Sequence, residues 1–267
     1  MKSRHPHTLL YCLALAAFLL AAILAFIRLE LAAAPLAVFV LTCLAAPFFP
    51  TTGLFLPVVS HGQDKSKKVA ITFDDGPDPR TTPILLQLLA RHQVQATFFV
   101  LGSKVQRHPE LIRNILEAGH CIGNHTYSHD PLLMLKPSQK LAQEIDATQA
   151  AIASHGIQLL AFRPPAGIVN PKLGPLLQKR NMFCLLYSCR GLDLGNRRVQ
   201  GLAGKILNRI QAGDIVLLHD SAPESLNFNL EQWLTQIEEL LQGLSQKGFR
   251  VRPLQEMIQR AVMLKTN

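Results

Sequence analysis

The chain has 267 residues, which is long enough to bury one sizeable core. Apolar residues make up 48% of the sequence and charged residues only 17%, so the composition excludes an intrinsically disordered chain. The formal net charge is +9, but the Lys and Arg residues are scattered and form no basic helix face with interleaved aromatic rings, so we expect no nucleic-acid partner.

The N-terminal part of the sequence contains two long apolar runs. Residues 8–27 are an uninterrupted series of apolar and small side chains, with Lys2 and Arg4 ahead of it. A run of about 20 residues can span a bilayer. A second run occupies residues 31–49. The two runs predict a membrane anchor at residues 1–50 made of two transmembrane helices. One signal-anchor span followed by an interfacial or buried segment, or a cleaved signal peptide, are the alternatives.

An anchor of this kind places the protein in the bacterial inner membrane. Positive charges flank both ends of the apolar region, with Lys65, Lys67 and Lys68 on its C-terminal side. Because positive flanks stay in the cytoplasm, a two-helix hairpin would keep both ends inside, whereas a single span would put the rest of the chain outside. The charges therefore do not decide on which side of the membrane the rest of the chain lies. Residues 51–66 contain Gly, Pro and polar residues, and they are predicted to link the anchor to a catalytic domain at residues 67–267.

Short β-type runs alternate with helical patterns throughout the predicted domain. The predicted strands are at residues 69–73, 96–100, 120–124, 160–162, 183–187, 215–218 and 249–251. The predicted helices are at residues 82–91, 109–118, 138–154 (capped by Ser138), 171–180, 199–210, 230–247 and 254–262. Seven successive strand–helix pairs predict an α/β fold with a parallel sheet, closed into a distorted or incomplete (β/α) barrel. An open doubly wound sheet is the alternative, but no glycine-rich phosphate loop follows the first strand.

Reactive side chains recur at one end of the predicted strands. Carboxylates, imidazoles and a guanidinium group follow the first, third, fourth, fifth and sixth strands: Asp74 and Asp75, His125, Arg163, Asp193 and His219. Barrel enzymes place their chemistry at the carboxyl ends of the strands. The pattern therefore predicts one active site at this face.

Two of these segments together suggest a metal site. Asp74 and Asp75 are adjacent at a strand end, so one can bind a metal while the other stays free as a base. His125 and His129 are spaced i, i+4, so on a helical turn both imidazoles would lie on one face. Alone, each pattern is equally compatible with a polar turn or a surface His pair. Combined, Asp75 and the two imidazoles leave positions open for water and substrate, as a catalytic metal site requires.

Two further segments supply groups for acid–base chemistry. In the loop that begins at Arg163, Pro164 and Pro165 have no N–H, so the first free backbone donor after them is Ala166. A rigidly held N–H beside a metal suits an oxyanion. His219 ends a buried strand and, opposite a carboxylate base, would serve as a general acid. An ordinary loop and a structural histidine are the simpler interpretations of these two segments.

Five segments, taken together and in this order, closely resemble the motifs of the NodB-like polysaccharide deacetylases, carbohydrate esterase family four. The segments are TFDDGP at 72–77, HTYSH at 125–129, RPPAG at 163–167, a weaker YSCRGLD at 187–193 and LLHD at 217–220. The resemblance covers the chain from residue 67 onward. It implies a metal-dependent hydrolase that removes N-acetyl groups from an N-acetylated glycan or glycolipid, with Zn²⁺ as the expected divalent metal.

The resemblance also implies roles for individual residues. The implied metal ligands are Asp75, His125 and His129. Asp74 is the implied base, and Arg163 is the residue that orients it. His219 is the implied acid, and Asp193 is the residue that tunes it. Leu217 would line a pocket for the acetyl methyl group.

The sequence departs from the family pattern in the substrate cleft. Ala166 stands where family members often carry an aromatic residue, and Leu194 follows Asp193 where a Trp is common. Cys189 and Arg190 replace the usual residues just before. These changes put long-chain chitin or peptidoglycan in doubt as the substrate. The alternatives are therefore a deacylase of a lipid-linked or nucleotide sugar, and a non-catalytic carbohydrate-binding protein on the same fold.

Overall fold

A computed structural model describes residues 8–63, 66–223 and 228–266. The charged residues Lys2, Arg4 and Lys65, on which the prediction of topology partly rests, lie outside the described residues. The strands are β1 Val58–Val59, β2 Lys68–Gly76, β3 Thr97–Val100, β4 Cys121–Asn124, β5 Ile157–Leu159, β6 Ala161–Phe162, β7 Phe183–Leu185, β8 Cys189–Arg190, β9 Ile215–His219, β10 Arg250–Val251 and β11 Met263–Lys265. The α-helices are α1 Thr8–Ile27, α2 Ala33–Ala45, α3 Thr82–Arg91, α4 Gly102–Arg107, α5 Pro109–Glu117, α6 Ser138–Ala153, α7 Leu173–Gln178, α8 Leu202–Leu207, α9 Leu230–Gln246 and α10 Leu254–Ile258.

The main sheet has the order β1-β7-β6-β4-β3-β2-β9-β8, and β10 also pairs with β2. Every pairing in this sheet is parallel. β7 pairs with β6 and β8 pairs with β9, although residues 186–188 alone separate β7 from β8. Residues 186–188 therefore connect β7, near one end of the strand order, with β8 at the other end. This arrangement confirms the predicted distorted or incomplete barrel and excludes the open doubly wound sheet.

Alternation along β2 decides which side chains face the barrel interior. Val69, Ile71 and Phe73 lie in the large apolar cluster that includes the helices, whereas Ala70 lies in a second cluster with residues of β3, β4, β6, β7 and β9. Successive side chains of a strand point to opposite faces. Asp74, four residues after Ala70, therefore shares the interior side of β2 and lies at the carboxyl end of the barrel.

Several elements differ from the sequence-based expectation. The prediction that Ser138 caps α6 is wrong: Pro137 occupies the cap position with non-helical ψ of 151°, and its carbonyl accepts the first backbone bonds of the helix. The strands β1, β5, β8 and β11 were not predicted, and neither was α4. Strands of two or three residues carry too little periodicity to be visible in a sequence, because their pairing depends on the rest of the fold.

Part of the predicted linker is packed against the barrel. Residues 54–56 are buried in the large apolar cluster, and β1 pairs with β7. His61 forms an isolated bridge with Asp214. A free linker would leave these residues exposed. The division of the chain into anchor, linker and catalytic domain stays a prediction.

The two N-terminal apolar runs form helices. The stretches Leu9–Ile27 and Leu29–Phe48 have mean hydropathies of 2.7 and 2.1, and each is long and apolar enough to cross a membrane. A signal sequence near the N-terminus would have the same length and composition. At the end of the second stretch, Ala46 is buried and the Pro47 carbonyl accepts a hydrogen bond from the Val169 N–H at 3.4 Å. This stretch therefore ends in contact with the barrel.

Candidate active site

The end of β2 presents two carboxylates in different directions. Asp74 is paired in register with Phe99 of β3 on one side and with His219 of β9 on the other. The register with β3 shifts between Asp74 and Gly76, and Asp75 has a φ of 70° within this irregularity. A bulge of this kind re-aims a side chain and is frequent beside active sites. It lets Asp74 stay in the ladder while Asp75 turns toward the β4 side.

Asp75, His125 and His129 form a cluster with the geometry of a metal site. Asp75 Oδ1 lies 3.5 Å from His125 Nε2 and 3.3 Å from His129 Nε2, and one ligand atom from each residue lies within 4.8 Å of the others. Asp75 Oδ1 is buried and has no hydrogen-bond partner. Such an orphaned atom costs free energy unless something binds it. One carboxylate oxygen and two imidazole nitrogens fit a divalent metal ion.

The imidazole of His125 is held in the tautomer that a metal requires. Its Nδ1 lies 2.7 Å from the Arg163 carbonyl oxygen, which can only accept, so Nδ1 carries the proton and donates it. Nε2 then faces Asp75 Oδ1 and is the nitrogen available to a metal ion. A backbone carbonyl on the outer nitrogen is the usual way of fixing a metal-binding histidine.

A buried carboxylate that the sequence analysis missed holds the loop between the two histidines. Glu144 of α6 accepts hydrogen bonds from the Tyr127 N–H at 3.1 Å, the Ser128 N–H at 2.8 Å and the Ser128 hydroxyl at 3.0 Å. His129 in turn donates its N–H to Thr126 Oγ1 at 3.1 Å. The signal was present in the sequence, because Glu144 lies among the buried apolar positions of its helix.

Asp74 is oriented by Arg163, whose side chain is completely buried beneath the cleft. The guanidinium Nη1 donates to Asp74 Oδ1 at 2.6 Å and to Thr72 Oγ1 at 2.8 Å, and Nη2 donates to the Leu186 carbonyl at 3.0 Å. The guanidinium also lies 3.9 Å from the centre of the Phe99 ring. Arg163 therefore fixes one oxygen of Asp74 and leaves Oδ2 facing the cluster, 3.7 Å from His125 Nε2.

His219 is paired with Asp193 on the other side of the cleft. His219 Nδ1 lies 2.8 Å from Asp193 Oδ2, and Asp193 is almost fully buried. Burial alone would lower the pKa of His219, but the hydrogen bond and charge of Asp193, with the charges of Asp75 and Asp74, raise it to about 9. His219 is therefore protonated at neutral pH and can donate a proton into the cleft.

Opposing effects set the charges of Asp75, His125 and His129. Burial would raise the pKa of Asp75, but the imidazoles of His125 and His129 hold it well below its usual range. Burial would lower the pKa of His125, but Asp74, Asp75 and the Arg163 carbonyl raise it. Burial is the main reason that the pKa of His129 is lowered. In the metal-free protein, one imidazole is thus biased toward its charged form and the other toward its neutral form.

These groups line a cleft of about 330 Å³ at the carboxyl end of the barrel. The ninth predicted site residue, Arg163, lies directly beneath the cleft. The other eight line it: Asp74, Asp75, His125, His129, Ala166, Asp193, Leu217 and His219. Ala166 has a φ of 56°, a conformation that non-glycine residues rarely adopt. Tyr187 and Arg197, for which no role was predicted, also line the cleft, as do Arg190 and Leu194, which were expected there.

The fold and the cleft define a parallel α/β barrel with a candidate divalent-metal centre flanked by a carboxylate and a protonated imidazole. The chain belongs to the polysaccharide deacetylase family, whose model matches residues 61–182. It is 33% identical to a peptidoglycan-N-acetylglucosamine deacetylase of Bacillus cereus over 73% of this chain and 90% of the relative. It is 32% identical to a chitooligosaccharide deacetylase of a Bradyrhizobium species over 72% of this chain and 91% of the relative.

Solved structures agree with this assignment. A peptidoglycan N-acetylglucosamine deacetylase in complex with 4-naphthalen-1-yl-N-oxidanyl-benzamide superposes with a TM-score of 0.70 at 28% identity, covering 79% of this chain and 95% of that one. A family 4 carbohydrate esterase from Streptomyces lividans in complex with acetate superposes with a TM-score of 0.61 at 28% identity, covering 70% of this chain and 93% of that one. The resemblance found in the sequence is confirmed.

Proposed function

We propose that this chain hydrolyses the N-acetyl amide of an N-acetylated sugar, releasing acetate and leaving a free amine. The observation that carries the proposal is the pair of fixed groups on either side of the metal cluster. Asp74, held by Arg163, and His219, held by Asp193, reach the same cleft. Hydrolysis of an amide needs a base that accepts a proton from water and an acid that protonates the departing nitrogen. The names of the two relatives support the substrate class.

The proposed metal ligands are Asp75, His125 and His129, and the proposed ion is Zn²⁺. Two imidazole nitrogens and one carboxylate oxygen are a donor set typical of catalytic zinc, with positions left for water and substrate. A divalent ion bound there would supply Lewis acidity, which would polarise the amide carbonyl and lower the pKa of a water molecule toward about 7.

The other residues move or stabilise charge during the reaction. Asp74 accepts the proton of the attacking water, and Arg163 keeps the accepting oxygen oriented. The preceding prolines hold the loop rigid and so fix the position of the Ala166 N–H. This N–H donates to the oxyanion that develops on the amide oxygen. His219 then donates its proton to the nitrogen as the carbon–nitrogen bond breaks. Leu217 lines the part of the cleft proposed to receive the acetyl methyl group.

A membrane-tethered substrate is the second candidate. The two apolar helices support a protein anchored by its N-terminus in the bacterial inner membrane, with residues 67–267 as the catalytic domain. The replacement of cleft aromatics by Ala166 and the half-exposed Leu194 favours a lipid-linked or nucleotide sugar over a long polymer. A reporter fused to the C-terminus, active on only one side of the membrane, decides which compartment the cleft faces. If the protein isolated from cells lacks residues 1–50, these residues are cleaved and do not anchor it.

Acetate release together with metal analysis tests the function. The full chain, purified in detergent, is analysed for bound metal and then assayed for acetate with chitooligosaccharides, peptidoglycan fragments and a polyprenyl-linked N-acetyl sugar. We expect about one zinc per chain and acetate from at least one substrate. Bound metal without acetate release from any of them would favour a carbohydrate-binding protein on the same fold.

A further inference from the structure

The wall of the cleft next to His219 carries two arginines that the proposed reaction does not use. Arg190 and Arg197 line the same cleft as Asp74, Asp75 and Asp193. Both arginines are exposed, so both are accessible to a ligand. They bracket the loop whose centre, Asp193, bonds to His219. The cleft therefore has a basic wall beside its reactive centre.

The cleft carboxylates do not neutralise these arginines. Asp74 is paired with Arg163, Asp75 lies against the two imidazoles, and Asp193 is bonded to His219. Among residues 8–63, 66–223 and 228–266, neither Arg190 nor Arg197 has a carboxylate within ion-pair distance. The two guanidinium groups are thus the uncompensated charge of the lining.

The structure also positions both arginines. Arg190 Nη1 donates to the Tyr187 hydroxyl at 3.0 Å, and its guanidinium lies 5.6 Å from the centre of the Tyr187 ring. One donor is used in this way, and the others stay available. Arg197 follows Asn196, whose buried side-chain amide donates to the carbonyls of His219 at 2.9 Å and Ser221 at 2.7 Å. A loop fixed in this way presents Arg197 from a defined place.

We infer that Arg190 and Arg197 bind an anionic group carried by the N-acetylated substrate close to its acetamido group. The inference rests on the proposed deacetylase function and specifies its substrate class. Guanidinium groups recognise carboxylates and phosphates through paired, charge-assisted hydrogen bonds. Both kinds of anion occur on N-acetylated sugars, as an ether-linked carboxylate or as a phosphate at the anomeric carbon. The absence of aromatic side chains at Ala166 and Leu194 fits a cleft that selects by charge rather than by stacking on neutral rings.

Matched substrates test the inference in the full chain, purified in detergent and loaded with zinc. A disaccharide that contains N-acetylmuramic acid is compared with its methyl ester, and N-acetylglucosamine 1-phosphate with the methyl glycoside of N-acetylglucosamine. We expect kcat/KM for one anion to exceed that of its neutral counterpart at least about tenfold, mainly through KM. The preferred anion identifies the source of the charge, and higher salt should reduce the preference.

The double variant, its two single variants and one control variant separate recognition from general effects of charge. In Arg190→Gln/Arg197→Gln, we expect the ratio of kcat/KM between anionic and neutral substrate to fall at least about tenfold, and each single variant to show part of the loss. Arg198→Gln removes the neighbouring exposed arginine, which does not line the cleft, and should leave the ratio unchanged.

Two results would overturn the inference without touching the proposed function. They are acetate release from neutral and anionic substrates at equal efficiency, and an equal loss of preference in Arg198→Gln. Failure of the wild-type chain to release acetate from these four substrates and from the chitooligosaccharide, peptidoglycan and polyprenyl-linked substrates would overturn the deacetylase function and this inference with it. Metal content and melting temperature, measured for every variant, show that each comparison is made between folded, loaded proteins.

Discussion

Asp74 and His219 lie opposite each other in the register of β2 and β9, at the last rung of two neighbouring parallel strands. The chain separates them by most of the barrel, yet the pairing fixes them on adjacent strands at the same level. Each is hydrogen-bonded to a buried partner of opposite charge, Asp74 to Arg163 and His219 to Asp193. The proposed base and the proposed acid are thus positioned by the sheet itself rather than by flexible loops.

The contact between Asp193 and His219 makes the alkaline limit of activity testable. An acid must be protonated to act, so activity is retained below the pKa of His219, about 9, and is lost as pH rises through it. Asp193→Asn removes the charge that most favours the protonated form. We expect the alkaline limb of the kcat/KM profile to move down by roughly 1–2 pH units.

A matched control for this variant is Asp146→Asn, which removes an exposed carboxylate bonded to Arg180 at the outside of the barrel. Its alkaline limb should coincide with that of the wild type. An unchanged limb in Asp193→Asn would show that another group limits activity at high pH.

Substitutions at the adjacent carboxylates Asp74 and Asp75 should affect turnover and metal binding separately. Asp74→Asn removes the proposed base but none of the proposed ligands, so we expect kcat to fall about 10²–10⁴-fold with the metal content unchanged. His219→Ala should behave in the same way. Asp75→Asn removes the ligand whose Oδ1 is buried without a hydrogen-bond partner and should lose the metal itself. Metal analysis beside acetate release gives both readouts, and full activity in Asp74→Asn would contradict its role.

Metal binding should be coupled to proton release. The carboxylates of Asp74 and Asp75 raise the pKa of His125, and a protonated imidazole cannot coordinate a metal through Nε2. A proton therefore competes with zinc for Nε2, and the affinity of the metal-free chain should fall as the pH is lowered. Titration calorimetry in buffers of different ionisation enthalpy measures the protons released. No dependence on the buffer would contradict this linkage.

The location of the site could be predicted because topology decides it. Residues that follow successive parallel strands are brought to one end of a barrel whatever their exact contacts are, and this is where Asp75, His125 and His219 lie. The adjacent carboxylates and the two nearby histidines indicated the ligand types. The expected helical turn was wrong, because residues 125–129 form a bend in which Thr126 and His129 have φ of 72° and 57°. Strand and helix positions followed from the alternation of apolar residues, and the predicted helix at residues 82–91 matches α3 residue for residue.

The supporting contacts could not be predicted because they depend on tertiary structure. β8 pairs with β9 across a short break after β7, and nothing in a two-residue strand encodes that partner. Asn196 supports its loop through two carbonyls of β9 and the residues after it. The packing of residues 54–56 depends on apolar neighbours that come together only once the barrel has formed. Sequence patterns report which face of an element is apolar but not which neighbour covers it.

Arg163 should be the residue on which the stability of the site depends most. It forms the direct ion pair of Asp74, at 2.6 Å, and both side chains are almost fully buried. Removing one partner of such a pair leaves an uncompensated charge in the interior, so Arg163→Met should lower the free energy of unfolding by about 3–5 kcal/mol. The double variant Arg163→Met/Asp74→Asn removes that charge and should recover part of the loss, because the two changes are coupled. Denaturant unfolding of the three variants and the wild type in one detergent measures the coupling. Additive losses would show that the pair does not act as a unit, and that Arg163 stabilises the barrel through Thr72, Phe99 and the Leu186 carbonyl instead.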